Sequence, residues 1–228
     1  MALLNAWAHS LHFLPYFVRV LCVSALTTVA LTASAFCVAF VLGFVIALMR
    51  LSRNAVLKAV ANVYLEVFRN IPLLTQLFVL YFGLERIGIM LPAFVAATLG
   101  FGLNGAAILS EIFRSSINGI DRGQREAALA IGMTWPMALT TVVLPQSMRL
   151  ALPALANFAI GLLKDTSLAS AVAVPELVFH ARALVSETYQ SNLIYFIVAI
   201  IYLLLSLALA RLSTATERGL HKSRTALS

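Results

Sequence analysis

Apolar residues run through this chain in long unbroken stretches separated by short polar connections, with neither the strict alternation of surface strands nor a one-sided helical stripe. A helix needs about twenty mostly apolar residues to cross a bilayer. Five segments meet that length, at about residues 17–49, 60–84, 91–112, 150–174 and 193–212. Pro72 lies inside the second, and the polar run Lys164-Asp165-Thr166-Ser167 interrupts the fourth. The pattern predicts an all-α polytopic membrane protein with five transmembrane helices. No linker, repeat or low-complexity stretch divides residues 1–228, so one domain is expected, and the tail after Arg211 is polar enough to fray.

Composition agrees. The chain is 61% hydrophobic and 11% charged, whereas soluble domains are roughly half apolar and about a quarter charged. A net charge of +7 raises nucleic acid as a partner. The basic residues are instead spread over short loops without interleaved aromatics, which excludes a nucleic-acid surface and fits a positive-inside bias. Arg50, Arg53 and Lys58 follow the first span. Arg114, Arg122, Arg125 and Arg149 surround the loop after the third, and Arg211, Arg218, Lys222 and Arg224 follow the fifth. Five crossings put these groups on one side, the cytoplasm, leaving Arg19, Arg86 and Arg182 with Glu85, Glu176 and Glu187 outside. The N-terminus is then outside and the C-terminus cytoplasmic. The start of the chain lacks a basic leader region and a small-residue cleavage site, so the first span is expected to be retained.

Cys22 and Cys37 would lie roughly 22 Å apart on one helix, beyond disulfide reach, and read as small core residues. His9, His12, His180 and His221 are scattered, and no metal spacing is present.

The cytoplasmic loop, about residues 115–149, carries local helix signals. Asp121 and Gln124 have the spacing of a capping box, with Asp121 accepting from the N3 amide and Gln124 reaching back. Ala127, Ala128 and Ala130 favour helix, Glu126 complements the dipole at its start, and Gly132 suits a left-handed stop. Thr134 and Pro136 fit the start of a second short helix that Pro145 should end or bend.

The string Gly123-Gln124-Arg125-Glu126-Ala127-Ala128, then Gly132, then Leu144-Pro145, resembles the EAA loop of type I ABC importer permeases, in particular the polar amino acid subfamily. The resemblance covers almost the whole chain. It includes Glu66-Val67-Phe68-Arg69-Asn70-Ile71-Pro72-Leu73-Leu74, Ser110-Glu111-Ile112-Phe113-Arg114 and Leu163-Lys164-Asp165-Thr166-Ser167-Leu168. One departure is Ile108, where relatives commonly carry an aromatic residue. The resemblance implies a permease subunit in the bacterial inner membrane that takes up polar amino acids. It would pair with a second permease, identical or related. A cytoplasmic ABC ATPase dimer would drive it, and an extracytoplasmic solute-binding protein would dock near the 175–190 loop. Gly123, Arg125, Glu126, Ala127, Ala128, Ala130 and Gly132 would form the knob that docks on the ATPase. ATP and Mg would be held by that partner: this chain carries no GxxxxGK[ST] loop and no cofactor of its own is expected.

Polar residues inside the spans are the candidates for the solute pathway. Lys164 and Asp165 each cost about 2.5–3.5 kcal/mol at a helix centre, so they need a partner or a wet cavity. Thr166 and Ser167 can loosen the helix there by bonding to nearby carbonyls. Asp165 could meet a solute ammonium and Lys164 a carboxylate, or the pair could serve an internal ion network. Glu66 and Arg69 share a helix face, either lining the pathway with Gln76 or satisfying each other. Gly100, Gly102 and Gly105 favour close helix packing around Asn104 over solute contact through it. Glu111 and Arg114 form a further same-face pair near the inner boundary. An ion-driven secondary transporter would more commonly show internal repeats and more spans, and a membrane enzyme would need a nucleophile–base set; neither is seen.

Overall fold

The computed structural model describes residues 13–225, with side chains described for 13–215. His9, His12, His221 and the tail cations Arg218, Lys222 and Arg224 therefore have no described side chain. All regular structure in this range is helical. Among the described residues three helices are long and apolar enough to cross a membrane, and two bent helix pairs raise the count to as many as five when each pair is taken as one span.

Helix α1, Leu14–Leu51, is apolar on every side and takes part in all four clusters of the core. It packs along α4, Ala93–Asn118, at very short range. Glycines make this approach possible. A Cβ added at Gly43 would lie 2.9 Å from Leu109 Cβ, and one at Gly102 would lie 2.7 Å from Val38 Cβ. Without a water-driven force between spans, such backbone-to-backbone packing supplies much of the association energy. Gly102→Leu should therefore push α1 off α4, because β-branched Val38 cannot swing aside. The expected cost is about 1–3 kcal/mol, read as a lowered unfolding midpoint in detergent. A variant melting with the wild type would contradict the close-packed seam.

Helix α2, Ala55–Asn70, is capped by Asn54, whose Oδ1 accepts from the Val56 and Leu57 amides at 2.8 and 3.4 Å. Pro72 ends it, and α3, Leu73–Phe78, leaves in a new direction and widens into a π turn over Val79–Gly83. The bend is 103°, so the second span is not the single pierced helix expected from residues 60–84. The reason is local. Pro72 has no N–H to give the Phe68 carbonyl, four residues earlier. That carbonyl instead accepts from Gln76 Nε2 at 3.0 Å and Asn104 Nδ2 at 2.9 Å, while Gln76 also donates to Ile71 O at 2.7 Å.

The segment between the third and fourth spans is more continuous than its sequence suggests. After α5, Arg122–Ala130, a turn leads to α6, Trp135–Ala138. This helix passes through a π turn, Leu139–Val143, straight into α7, Leu144–Asp165. Pro145 does not end it. The wide turn falls just before the proline and places it at the start of the next α-helical stretch, where a missing donor matters least. The fourth span thus begins in the loop, at Trp135, instead of near residue 150.

At its far end α7 tightens into a 3-10 segment, Thr166–Val172, where loosening was expected, and of the Thr166-Ser167 pair Thr166 bonds back, its Oγ1 donating to Leu163 O at 2.7 Å. Ala173 is left-handed (φ 58°), and the chain bends by 52° into α8, Leu177–Thr188. Residues 175–190 are therefore mostly helix, not the loop expected. Leu177, Ala181 and Leu184 recur on one face and bury it against α1 and α9, Ser191–Thr225. The backbone of α9 stays helical past Arg211, where fraying was expected.

Candidate functional site

Helix α5 is held at both ends. Asp121 Oδ1 accepts from the Gly123 amide at 2.7 Å, one residue earlier than the N3 amide expected. Gln124 does not complete the capping box; its Oε1 accepts from Gln146 Nε2 on α7 at 3.4 Å. At the other end Gly132 is left-handed (φ 88°). Its amide bonds Leu129 O at 3.0 Å, and the Met133 amide bonds Ala128 O at 3.1 Å, which together form a Schellman stop. The Arg125 guanidinium lies over the Trp135 ring, 5.8 Å from its centroid, and joins α5 to the first turn of α6.

Of the predicted docking residues, Gly123, Glu126, Ala127, Ala130 and Gly132 are exposed. Arg125 is half-buried on Trp135, and Ala128 is buried, seating the helix on its own protein. Three apolar side chains that the sequence reading passed over join the exposed face: Leu129, Ile131 and Met137. Ile131 is the most exposed of the three, at 76%.

A second cluster gathers on Glu111 of α4. Arg50 of α1 approaches Oε1 at 2.6 Å, and Arg114 approaches Oε2 at 2.9 Å. Arg69 of α2 reaches to 3.9 Å. Arg50 also donates to Asn62 Oδ1 at 3.3 Å. One carboxylate thus ties three helices with three guanidinium groups around it. The Glu111–Arg114 spacing is visible in the sequence, but Arg50 is 61 residues away and gave no local signal. Glu66 does not pair with Arg69; its Oε2 accepts from Asn70 Nδ2 at 2.9 Å, and both residues are exposed.

The interior amides Gln76 and Asn104 serve the Phe68 carbonyl, as described above. Buried Thr166 bonds within its own turn, and half-buried Ser167 gives its carbonyl to Ser170. Lys164 and Asp165 are both exposed, and no ion pair among the described residues involves either. They close a stripe along α7 that the chain leaves uncovered. Leu150, Pro153, Ala154 and Asn157 belong to it, and Gly161 has open space in front of it. These positions fall on one helix face.

Just beyond, Glu176 is fully buried. Its Oε1 accepts from the Phe179 amide at 2.8 Å, capping α8, and its Oε2 accepts from Tyr202 Oη of α9 at 3.3 Å. Thr28 of α1 accepts from the neighbouring Leu177 amide at 3.2 Å. The sequence reading placed Glu176 only as an outside charge. The signal that could have found it is a carboxylate three residues ahead of an amide at the start of an apolar helical run.

Up to five spans, an exposed short helix between them and an uncovered α7 face that ends in Lys164 and Asp165 fit a polytopic membrane protein. The chain belongs to the family of binding-protein-dependent transport system inner membrane components, whose family model matches residues 39–222. It is 42% identical over 162 residues to the probable amino-acid ABC transporter permease protein YckA of Bacillus subtilis, covering 71% of this chain and 72% of that one. It is 37% identical to the L-cystine transport system permease protein TcyB of the same organism, covering 86% and 84%. Among solved structures, an amino acid ABC transporter crystallised with histidines matches with a TM-score of 0.85 and 36% identity, over 91% of this chain and 97% of that one. The MetNI methionine ABC transporter, at 20% identity, has the same fold, with a TM-score of 0.75 over 88% and 96%.

Proposed function

We propose that this chain imports polar amino acids as one of a pair of permeases, driven by ATP hydrolysis on a separate ATPase dimer and supplied by an extracytoplasmic binding protein. The observation that carries the reading is the mechanical path from the knob to the polar stripe. Helix α5 is fastened to Trp135, and from Trp135 the helix runs without a break to Asp165. That rod is roughly 46 Å long at about 1.5 Å per residue, so from its start beside α5, outside the hydrocarbon, it reaches deep into the membrane-spanning part. A push on α5 is then delivered to Lys164 and Asp165 at the far end.

The amino-acid relatives support the solute class. The exposed α7 stripe supports a second permease, since charged side chains at membrane depth need a partner chain or a wet cavity. Within that cavity Asp165 takes the solute ammonium and Lys164 the carboxylate, with Glu66 and Arg69 further along the pathway. The ATPase closes on ATP and Mg, brings the two α5 helices together and rocks the paired bundles from inward- to outward-open. The N-terminus lies outside and the C-terminus in the cytoplasm, so the binding protein meets the α8 end.

Asp165→Asn tests the solute contact. It is exposed and unpaired here, so assembly should be unchanged while ATP-driven uptake into vesicles falls about tenfold, the size of one charge-assisted contact. Wild-type uptake kinetics in that variant would remove Asp165 from the pathway.

A further inference from the structure

A cavity of about 460 Å³ opens between the first turns of α1 and the start of α8. It lies away from both the α7 stripe and the α5 knob. Its polar lining is Tyr16, Arg19, Ser24, Thr27 and His180. Val20, Val23 and Pro175 complete the walls. Among the described residues no carboxylate lines it. Glu176, next to Pro175, turns its oxygens to the Phe179 amide and to Tyr202. Arg19 is exposed and takes part in no salt bridge among the described residues. The cavity is therefore cationic and uncompensated, with hydroxyl groups nearby.

Its depth is set by the helix that carries it. Arg19 and Arg50 are 31 residues apart on the single unbroken α1. That is roughly 46 Å, close to the about 40–45 Å thickness of a bilayer including its headgroups. With Arg50 at the inner headgroup level, Arg19 falls at the opposite headgroup level. Tyr16, 55% exposed, stands where interfacial aromatic residues are enriched. Inward from the cavity the same helix presents Val23, Leu26 and Val29, all exposed, as a track suited to an acyl chain.

We infer that this groove holds a phospholipid of the extracytoplasmic leaflet, with the anionic phosphate headgroup on Arg19 and His180 and an acyl chain along Val23 and Leu26. Two cationic or hydrogen-donating groups and no acid favour a lipid with net negative charge. Arg binds phosphate through paired N–H donors, which a hydrated lysine does less well. The bound lipid fills the gap between α1 and α8 and so braces the bend that positions the fourth span. This inference needs only the membrane orientation of α1 and stands apart from the choice of solute.

The test is native mass spectrometry of the affinity-purified chain, with the subunits that copurify, after delipidation and titration with palmitoyl-oleoyl phosphatidylglycerol or phosphatidylcholine. The wild type should retain phosphatidylglycerol in preference to phosphatidylcholine. Arg19→Gln with His180→Gln should weaken that retention about tenfold or more. Arg19→Gln alone, on an exposed side chain, gives the same direction should the double variant fail to fold. Equal retention by wild type and variants overturns the inference. Displacement by millimolar inorganic phosphate also overturns it, by marking a soluble-anion site. So does unchanged lipid retention accompanied by loss of binding-protein-stimulated uptake, which assigns the groove to a protein partner.

Discussion

Glu126→Lys leaves the chain inserted and folded but removes most of its stimulation of ATP hydrolysis. Glu126 is exposed, and no hydrogen bond or ion pair among the described residues uses it. Reversing its charge should therefore change the stability of this chain by no more than about 0.5 kcal/mol. At a docked surface the consequence differs. A carboxylate that faces a cation becomes an ammonium that repels it, and loss of such a pair costs about 2–5 kcal/mol. Copurification of the ATPase and solute-stimulated hydrolysis should fall at least about thirtyfold. Glu126→Gln should fall less, because it loses the attraction without adding repulsion. Wild-type hydrolysis by Glu126→Lys would mean that force enters elsewhere, and Leu129, Ile131 and Met137 would be the next surface to alter.

Glu176→Ala should be the most damaging single change at the α8 end of the bundle. It removes the cap of α8, leaves the Phe179 amide without its acceptor and takes the Tyr202 hydroxyl's carboxylate partner from a buried site. A lost cap costs about 1 kcal/mol, and each buried group left unsatisfied adds about 1–3 kcal/mol. Glu176→Gln keeps an oxygen for the amide and a polar group for Tyr202, so it should recover most of the loss. The check is thermal unfolding of both variants in detergent. Equal melting of Glu176→Ala and wild type would show that the 52° bend is held by apolar packing alone.

Much of this architecture is written in local pattern. The apolar runs place α1, α4 and α9 because a span needs only length and hydrophobicity. Gly132 marks the stop of α5 because few other residues adopt its φ of 88°. Pro72 marks a break, but its angle depends on how Gln76 and Asn104 reach the abandoned Phe68 carbonyl, and that is tertiary information. The same limit hid the Arg50 contact with Glu111 and the enclosure of Glu176 by α1 and α9. Helix α8 was missed for a different reason. His180, Arg182 and Glu187 make it look like a polar loop, although its buried positions 177, 181 and 184 keep helical spacing. Among the candidate site residues, the alanines announce helix α5 and the family resemblance implies its docking role, but only the structure separates inward Ala128 from the exposed face around it.

The central claim is that a separate ATPase works this chain through α5. The most direct measurement is a mild-detergent pull-down of the tagged chain and its Glu126→Lys variant, with mass spectrometry of the copurifying proteins. The account predicts a P-loop ATPase and a second five-span chain with the wild type, and loss of the ATPase alone from the variant. A folded wild-type chain that recovers no ATPase, yet moves solute into vesicles on an ion gradient, would contradict it.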